Sequence, residues 1–275
     1  MPDFKEIAGR LADALMEVVF PTKCLVCGTF FPPPLREDLV EKDVQDITYQ
    51  RVMSPFLCPN CLIRFLPPSF PICAKCGTRM ESRGGNEVCR DCSEFPKHFR
   101  VARAFGAYEK EGEIFARAIR CFKYDEKTQL ARPYEKLLFA TFIRHWNKAD
   151  IDIVMPVPLH IKRMRKRGFN QAYLLIRKWH RLAESFNIDL SNIRIEREIL
   201  IRNKNTIPQV EMTDRTERME NIRGAFVVRN PSKIRGKKIL LVDDVHTTGA
   251  TVDECAKVLS ETGAEYTDVL TLART

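Results

Sequence analysis

The chain has 275 residues, 44 % of them hydrophobic, enough for one or two domains with packed cores. No apolar run approaches the roughly 18 residues of a membrane-spanning helix, and the start lacks the basic and apolar blocks of a signal peptide, so a cytoplasmic protein is expected. The formal net charge of +9 is uneven: residues 1–100 hold 13 Lys+Arg and 13 Asp+Glu, residues 101–275 hold 32 and 23, so anionic partners are expected at the second part.

Residues 1–20 place Ile7, Leu11, Leu15 and Val18 on one helical face among mixed charges, which predicts a packing helix rather than a membrane-surface one. Eight of the ten cysteines then form four CxxC pairs: Cys24/Cys27, Cys58/Cys61, Cys73/Cys76 and Cys89/Cys92. One CxxC turn offers two thiolates to a metal and two such turns close a tetrahedron, so two structural Zn²⁺ sites follow. Disulfides suit an exported chain, and redox activity at one pair leaves the other three unexplained. Pairing in sequence order joins the first two CxxC turns and the last two. The second site then has a twelve-residue spacer with Gly84-Gly85-Asn86 at its tip, whereas the first has thirty residues, long enough that an interleaved pairing is also open. Inside the long spacer, Pro32-Pro33-Pro34 stiffens the exit, and residues 36–49 are charged with weak periodicity, so residues 32–55 are expected to pack loosely.

From residue 101 short apolar strands alternate with amphipathic helices, the pattern of a parallel α/β domain. Residues 102–108 read as a strand, 113–121 and 133–146 as helices, and 152–158 as a strand ending in prolines, where the chain must turn. Lys162-Arg163-Met164-Arg165-Lys166-Arg167 is the densest basic run, directly after that turn. A long helix is expected from Asn170, with Leu174, Leu175, Trp179, Leu182 and Phe186 inward, which leaves Phe169 as the one aromatic near the basic run suited to base stacking. Residues 202–218 are polar and irregular, followed by a helix to Ile222 and strands at 225–228 and 267–272. No Cys/His or Ser/His/Asp constellation suggests a nucleophile, and of the five histidines only His160 and His246 lie in site-like turns.

The string Ile239-Leu240-Leu241-Val242-Asp243-Asp244-Val245-His246-Thr247-Thr248-Gly249-Ala250-Thr251 carries the most chemistry. Four apolar residues followed by turn chemistry describe a buried parallel strand ending at the sheet edge where such folds bind ligands. Val252, Cys255, Ala256 and Leu259 repeat at helical spacing, so 247–251 begins a helix whose free N–H groups attract an anion. Thr247, Thr248 and Thr251 add hydroxyls, Gly249 and Ala250 allow close approach, and Asp243 and Asp244 can accept from two ribose hydroxyls. A phosphorylated ribose suits the whole series, whereas a simple helix cap needs only one acceptor.

That string resembles the PRPP-binding motif of type I phosphoribosyltransferases. Pro156-Val157-Pro158-Leu159, Phe122-Lys123-Tyr124, Arg167-Gly168-Phe169-Asn170-Gln171, Thr206 with Gln209, Arg218 with Asn221, and Gly224-Ala225-Phe226 are similar to the signature blocks of the ComF family, as is the cysteine-rich start. The resemblance implies residues 1–100 as an N-terminal helix plus double zinc ribbon, and residues 101–275 as a type I phosphoribosyltransferase-like α/β domain. It implies PRPP, or another phosphoribosyl ligand, with Mg²⁺ on the pyrophosphate. The 247–251 loop would hold the 5′-phosphate, Asp243 and Asp244 the ribose as the catalytic pair, and the 156–160 turn, with Val157 and Leu159, the pyrophosphate. The 202–218 stretch resembles a loop that closes over the ligand. Some relatives carry an acid at the position of Thr247 as general base, which a threonine cannot replace near neutral pH. Two expectations follow: transfer of phosphoribose to an acceptor in DNA uptake, or single-stranded DNA handling beside the uptake machinery, with the same pocket regulatory or gripping a 5′-phosphoribose end.

Overall fold

The computed structural model describes residues 21–68, 70–81, 87–108, 114–124, 127–206 and 215–275. The expected helix over residues 1–20, the Gly84-Gly85-Asn86 tip and Gln209 lie outside them. The cysteine-rich part contains β1 (Thr22–Lys23), β2 (Phe30–Phe31) and three short helices, α1 (Tyr49–Met53), α2 (Pro59–Leu62) and α3 (Arg90–Glu94). Then follow β3 (Ala102–Ala107), α4 (Ile114–Tyr124), α5 (Ala131–His145), β4 (Ile153–Pro156), α6 (Ile161–Arg167), α7 (Gln171–Leu174), α8 (Trp179–Ser185) and β5 (Arg194–Ile195). The chain ends with β6 (Leu200–Arg202), α9 (Arg215–Ile222), β7 (Phe226–Val228), β8 (Lys238–His246), α10 (Ala250–Glu261) and β9 (Tyr266–Arg274). No helix among the described residues is long and apolar enough to cross a membrane.

Five strands form a parallel sheet in the order β3-β9-β8-β4-β5. Its central strands are apolar on both faces, as helix-covered parallel strands must be. Because side chains alternate along a strand, Leu240 and Val242 of β8 face one apolar cluster and Ile239 and Leu241 the other. The first face is covered by α4, α5, α7 and α8, the second by α10 with β6 and β7, which pair antiparallel apart from the main sheet. The strand expected at 225–228 thus belongs to this small ribbon. Asp268 of β9 is fully buried and anchors the turn into the sheet: it accepts from Arg100 Nε at 2.9 Å and Nη2 at 2.5 Å, and from Trp146 Nε1 at 2.7 Å.

Both cysteine-bearing segments sit directly on these faces, so apolar packing runs across residue 100. Cys24, Cys58 and Cys61 join the first cluster, and Cys73, Cys76 and Cys92 the second. The expectation that residues 32–55 pack loosely is corrected here: Val44, Ile47, Tyr49, Val52 and Met53 are buried. Asp43 and Thr48 cap two short helical turns, and the Tyr49 ring stacks on Phe65 at 4.1 Å and meets Phe115 of α4 edge-on at 5.6 Å. The apolar residues at 49, 52 and 53 carried the helical spacing, hidden among charges.

The single long helix expected from Asn170 is also corrected. It is broken between α7 and α8, where the Lys178 N–H leaves the helical ladder to bond buried Glu135 Oε1 of α5 at 2.5 Å, and Trp179 Nε1 bonds the Leu175 carbonyl at 2.9 Å. The packing of Tyr49 gives a direct check. Tyr49→Ala should lower stability by about 3–5 kcal/mol in denaturant unfolding. Tyr49→Phe should change it by under about 1 kcal/mol, since the buried hydroxyl has no partner among the described residues.

Candidate functional site

Strand β8 runs on through both carboxylates to His246, and the two-residue period sends Asp243 and Asp244 toward opposite faces of the sheet. Asp244, buried, receives Lys123 Nζ from the last turn of α4 at 2.7 Å. Burial pulls the Lys123 ammonium down, but Asp244 and Asp243 together hold it above its ordinary value. Asp243 has no such ion pair among the described residues. Its Oδ1 accepts the Asp244 N–H at 2.8 Å, and burial, with Asp244 adding, pushes its carboxyl up to about 7. Arg202, at the end of β6, supplies positive charge on that side; burial, with Arg163 adding, lowers it to about 10. Its Nε is buried and has no hydrogen-bond partner among the described residues, so a donor is left for an acceptor.

Residues 247–251 follow as expected at the start of α10. Gly249 is the N-cap, with φ +80°, and a Cβ there would lie 2.4 Å from His246 Nε2, so only glycine lets the turn close. Thr248 Oγ1 accepts the Ala250 N–H at 3.4 Å. His246 is buried edge-on against Phe99 at 5.8 Å, and burial, with Arg274 and Lys97, lowers it well below its usual range, so it is a neutral packing residue rather than a proton shuttle. The 156–160 turn lies beside β8: the Val157 N–H bonds the Val242 carbonyl at 2.8 Å, and the Val157 carbonyl accepts from Asn170 Nδ2 at 3.1 Å. Val157 is therefore committed to shaping the turn, and half-buried Leu159 follows it. His160 caps α6, accepting the Lys162 N–H at 3.3 Å.

The block from Arg167 to Gln171 braces these parts. Gly168, at φ +76°, ends α6, Asn170 holds the 156–160 turn, and Gln171 Nε2 donates to the Lys123 carbonyl at 3.4 Å. Phe169, half-buried, packs at the edge of the core against Phe122 with centroids 6.3 Å apart; beside it Tyr124 is exposed, with Arg167 over its ring at 4.9 Å. Sequence reasoning passed over Lys123, Arg202 and Arg274 as site residues. For Lys123 the signals were the Phe122-Lys123-Tyr124 block and a lysine closing an amphipathic helix; the two arginines are placed by tertiary contacts.

The eight paired thiols gather in two clusters, Cys24/Cys27/Cys58/Cys61 and Cys73/Cys76/Cys89/Cys92, each with its ligand atoms within 4.8 Å of one another. The pairing is thus the sequential one. Cys27 and Cys58 Sγ are 3.6 Å apart and Cys76 and Cys89 Sγ 3.7 Å, against about 3.8 Å for a tetrahedron with bonds of about 2.3 Å. Hydrogen bonds from Thr29 bring Cys27 down to about 6. At Cys73 burial acts upward, yet the Cys76 and Cys89 N–H groups, at 3.4 and 3.2 Å, bring the thiol to about 6. Each set can hold one zinc ion, with no open position for substrate. Protein purified without added zinc should carry close to two zinc per chain by elemental analysis; a content well below one would contradict this.

Comparison with known proteins agrees with these features. Residues 180–274 match the phosphoribosyl transferase domain model. Competence protein F of Haemophilus influenzae is 28 % identical over 222 residues, covering 79 % of this chain and 90 % of its own. Competence protein ComFC of Bacillus subtilis is 25 % identical over 247 residues, 87 % of this chain and 89 % of its own. DNA utilization protein YhgH of Escherichia coli K12 is 26 % identical over 207 residues, 74 % of this chain and 84 % of its own. Relatives along most of the chain, together with the phosphoribosyltransferase-like sheet and the two four-cysteine clusters, support the ComF family for this protein.

Proposed function

We propose that the protein binds PRPP with Mg²⁺ at the carboxyl edge of β8, and does so as part of DNA uptake, the setting suggested by its competence-named relatives. The observation that carries this reading is the carboxylate pair divided between two cations, Lys123 on Asp244 and Arg202 on the Asp243 side, at the foot of an anion-accepting helix start. Asp243 and Asp244 accept from the ribose hydroxyls, the 247–251 amides and hydroxyls take the 5′-phosphate, and Arg202 Nε, without a partner among the described residues, meets ligand oxygen. Mg²⁺ would neutralise the pyrophosphate, with hard oxygen ligands from it and from the aspartates. In a transfer reaction the same charges would stabilise an oxocarbenium-like ribosyl centre, and, with no base at Thr247, the acceptor's proton would pass to the departing pyrophosphate or to water.

Calorimetry should detect PRPP binding that requires Mg²⁺ and weakens at least tenfold, about 1.4 kcal/mol, in Asp244→Asn. Because Asp243 titrates near 7 and hydroxyl donors favour its ionised form, affinity should be full above that pH and fall on acidification, by up to about tenfold per unit. Absence of binding, or affinity indifferent to the substitution, would count against the site.

A second reading, contact with single-stranded DNA, has its own observation. Helix α6 has no buried residue and presents Lys162, Arg165 and Lys166 to solvent beside exposed Tyr124, a backbone-tracking charge next to a stacking platform. Changing Lys162, Arg165 and Lys166 to glutamine should weaken single-stranded DNA binding and make the log–log salt slope shallower by roughly two. An unchanged slope would remove α6 from the DNA surface.

A further inference from the structure

The second cysteine cluster touches the phosphate loop from both of its ends. Arg274, the last residue of β9, stands beside His246 in the sheet register. Its Nη1 donates to the His246 carbonyl at 3.0 Å and to the Thr247 carbonyl. The same guanidinium turns its other edge to the metal site: Nε donates to the Cys76 carbonyl at 3.3 Å and Nη2 reaches Cys76 Sγ at 3.7 Å. At the far end of the loop, His98, six residues beyond Cys92, holds the first turn of α10: its N–H bonds Asp253 Oδ1 at 2.7 Å and its Nδ1 lies 3.3 Å from Oδ2. Between the two grips, Cys73, Cys76, Cys92 and Phe99 share one buried cluster with Ala250, Val252 and Cys255. A polar cavity of about 220 Å³ separates the knuckle from the loop, with Thr78, Cys89 and Arg274 facing Thr247 and Thr248.

A guanidinium suits this position for a physical reason. It is planar and always charged, and its five donors can serve two carbonyls on one edge and a carbonyl and a thiolate on the other. Two N–H groups already point at Cys73, so a further cationic donor at Cys76 helps offset the roughly two negative charges that four thiolates leave on a zinc ion. The carbonyls that Arg274 takes belong to the two residues before Thr248 and Gly249, so their orientation sets where the following N–H groups aim.

We propose that Arg274 and His98 make the Cys73/Cys76/Cys89/Cys92 site a clamp on the 247–251 loop, so that metal bound there pre-sets the loop for a phosphate group. Arg274 is on this view a positioning residue, touching the ligand only through the loop. The inference rests on the proposed phosphoribosyl site for its biological sense, but its test does not require that ligand.

Amide hydrogen exchange of the zinc-loaded protein reads the loop directly. Arg274→Gln should keep two zinc per chain and normal protection in β4, while exchange over 246–252 quickens at least tenfold. Arg274→Lys should restore part of the protection. In cobalt-loaded protein the thiolate-to-metal charge-transfer band should shift in Arg274→Gln, a signature that loosened packing alone does not give. His98→Ala, a change at a half-exposed side chain, should quicken exchange only in the first turn of α10, and it decides alone if Arg274→Gln does not fold. Loop exchange equal to wild type in zinc-replete Arg274→Gln, or first-turn α10 exchange equal to wild type in His98→Ala as the deciding variant, would overturn the clamp. Failure of wild-type protein to bind PRPP would instead strike the proposed function and leave this result standing.

Discussion

Lys123 Nζ lies 2.7 Å from Asp244 at the end of the central strand, and the arrangement around it follows from the cost of placing two neighbouring carboxylates where water is scarce. Unpaired, both would drift toward protonation, as half-buried Asp243 does in rising to about 7. The strand's alternation eases the conflict by sending the two acids to different faces, Asp244 onto Lys123 and Asp243 toward the side where Arg202 adds positive charge. Removing one partner of such a buried pair generally costs about 3–5 kcal/mol, so α4 must deliver its lysine accurately. That demand explains why the helix is held at so many points: Phe115, Ile119 and Phe122 in the core, and Gln171 on the Lys123 carbonyl.

The cysteine-rich part serves the same end from both sides of the sheet. Its first knuckle meets α4 through Arg117 Nη2 on the Val26 carbonyl at 2.9 Å and Cys121 Sγ on the Leu25 carbonyl at 3.4 Å, so it braces the helix that carries Lys123. Its second knuckle lies against the 247–251 loop. Segments this short bury little apolar surface of their own, and zinc held by the two clusters would supply folding energy that such a core cannot. The two clusters thus pack against the two elements that flank the proposed site, α4 and the 247–251 loop.

Much of this was legible in the residues. The parallel sheet, the 247–251 helix start and the four CxxC turns are local patterns, and local patterns survive into the structure. What stayed hidden depended on contacts between distant segments. The break between α7 and α8 is made by Glu135, some forty residues upstream, and no periodicity announces it. The Tyr49 stack is assembled from Phe65, Phe105 and Phe115, so a segment that reads as charged and loose becomes part of the core. Phe169 sits next to a basic run in sequence yet turns to Phe122, leaving Tyr124 outside. Arg202 and Arg274 are unremarkable in sequence because their importance comes only from the strands beside them.

The most direct measurement is a crystal structure grown with PRPP and Mg²⁺. The account predicts ribose hydroxyls within hydrogen-bond reach of Asp243 and Asp244, the 5′-phosphate on the 247–251 amides, and Lys123 still paired with Asp244. Ligand density elsewhere on the protein, or a ribose turned away from both aspartates, would contradict it.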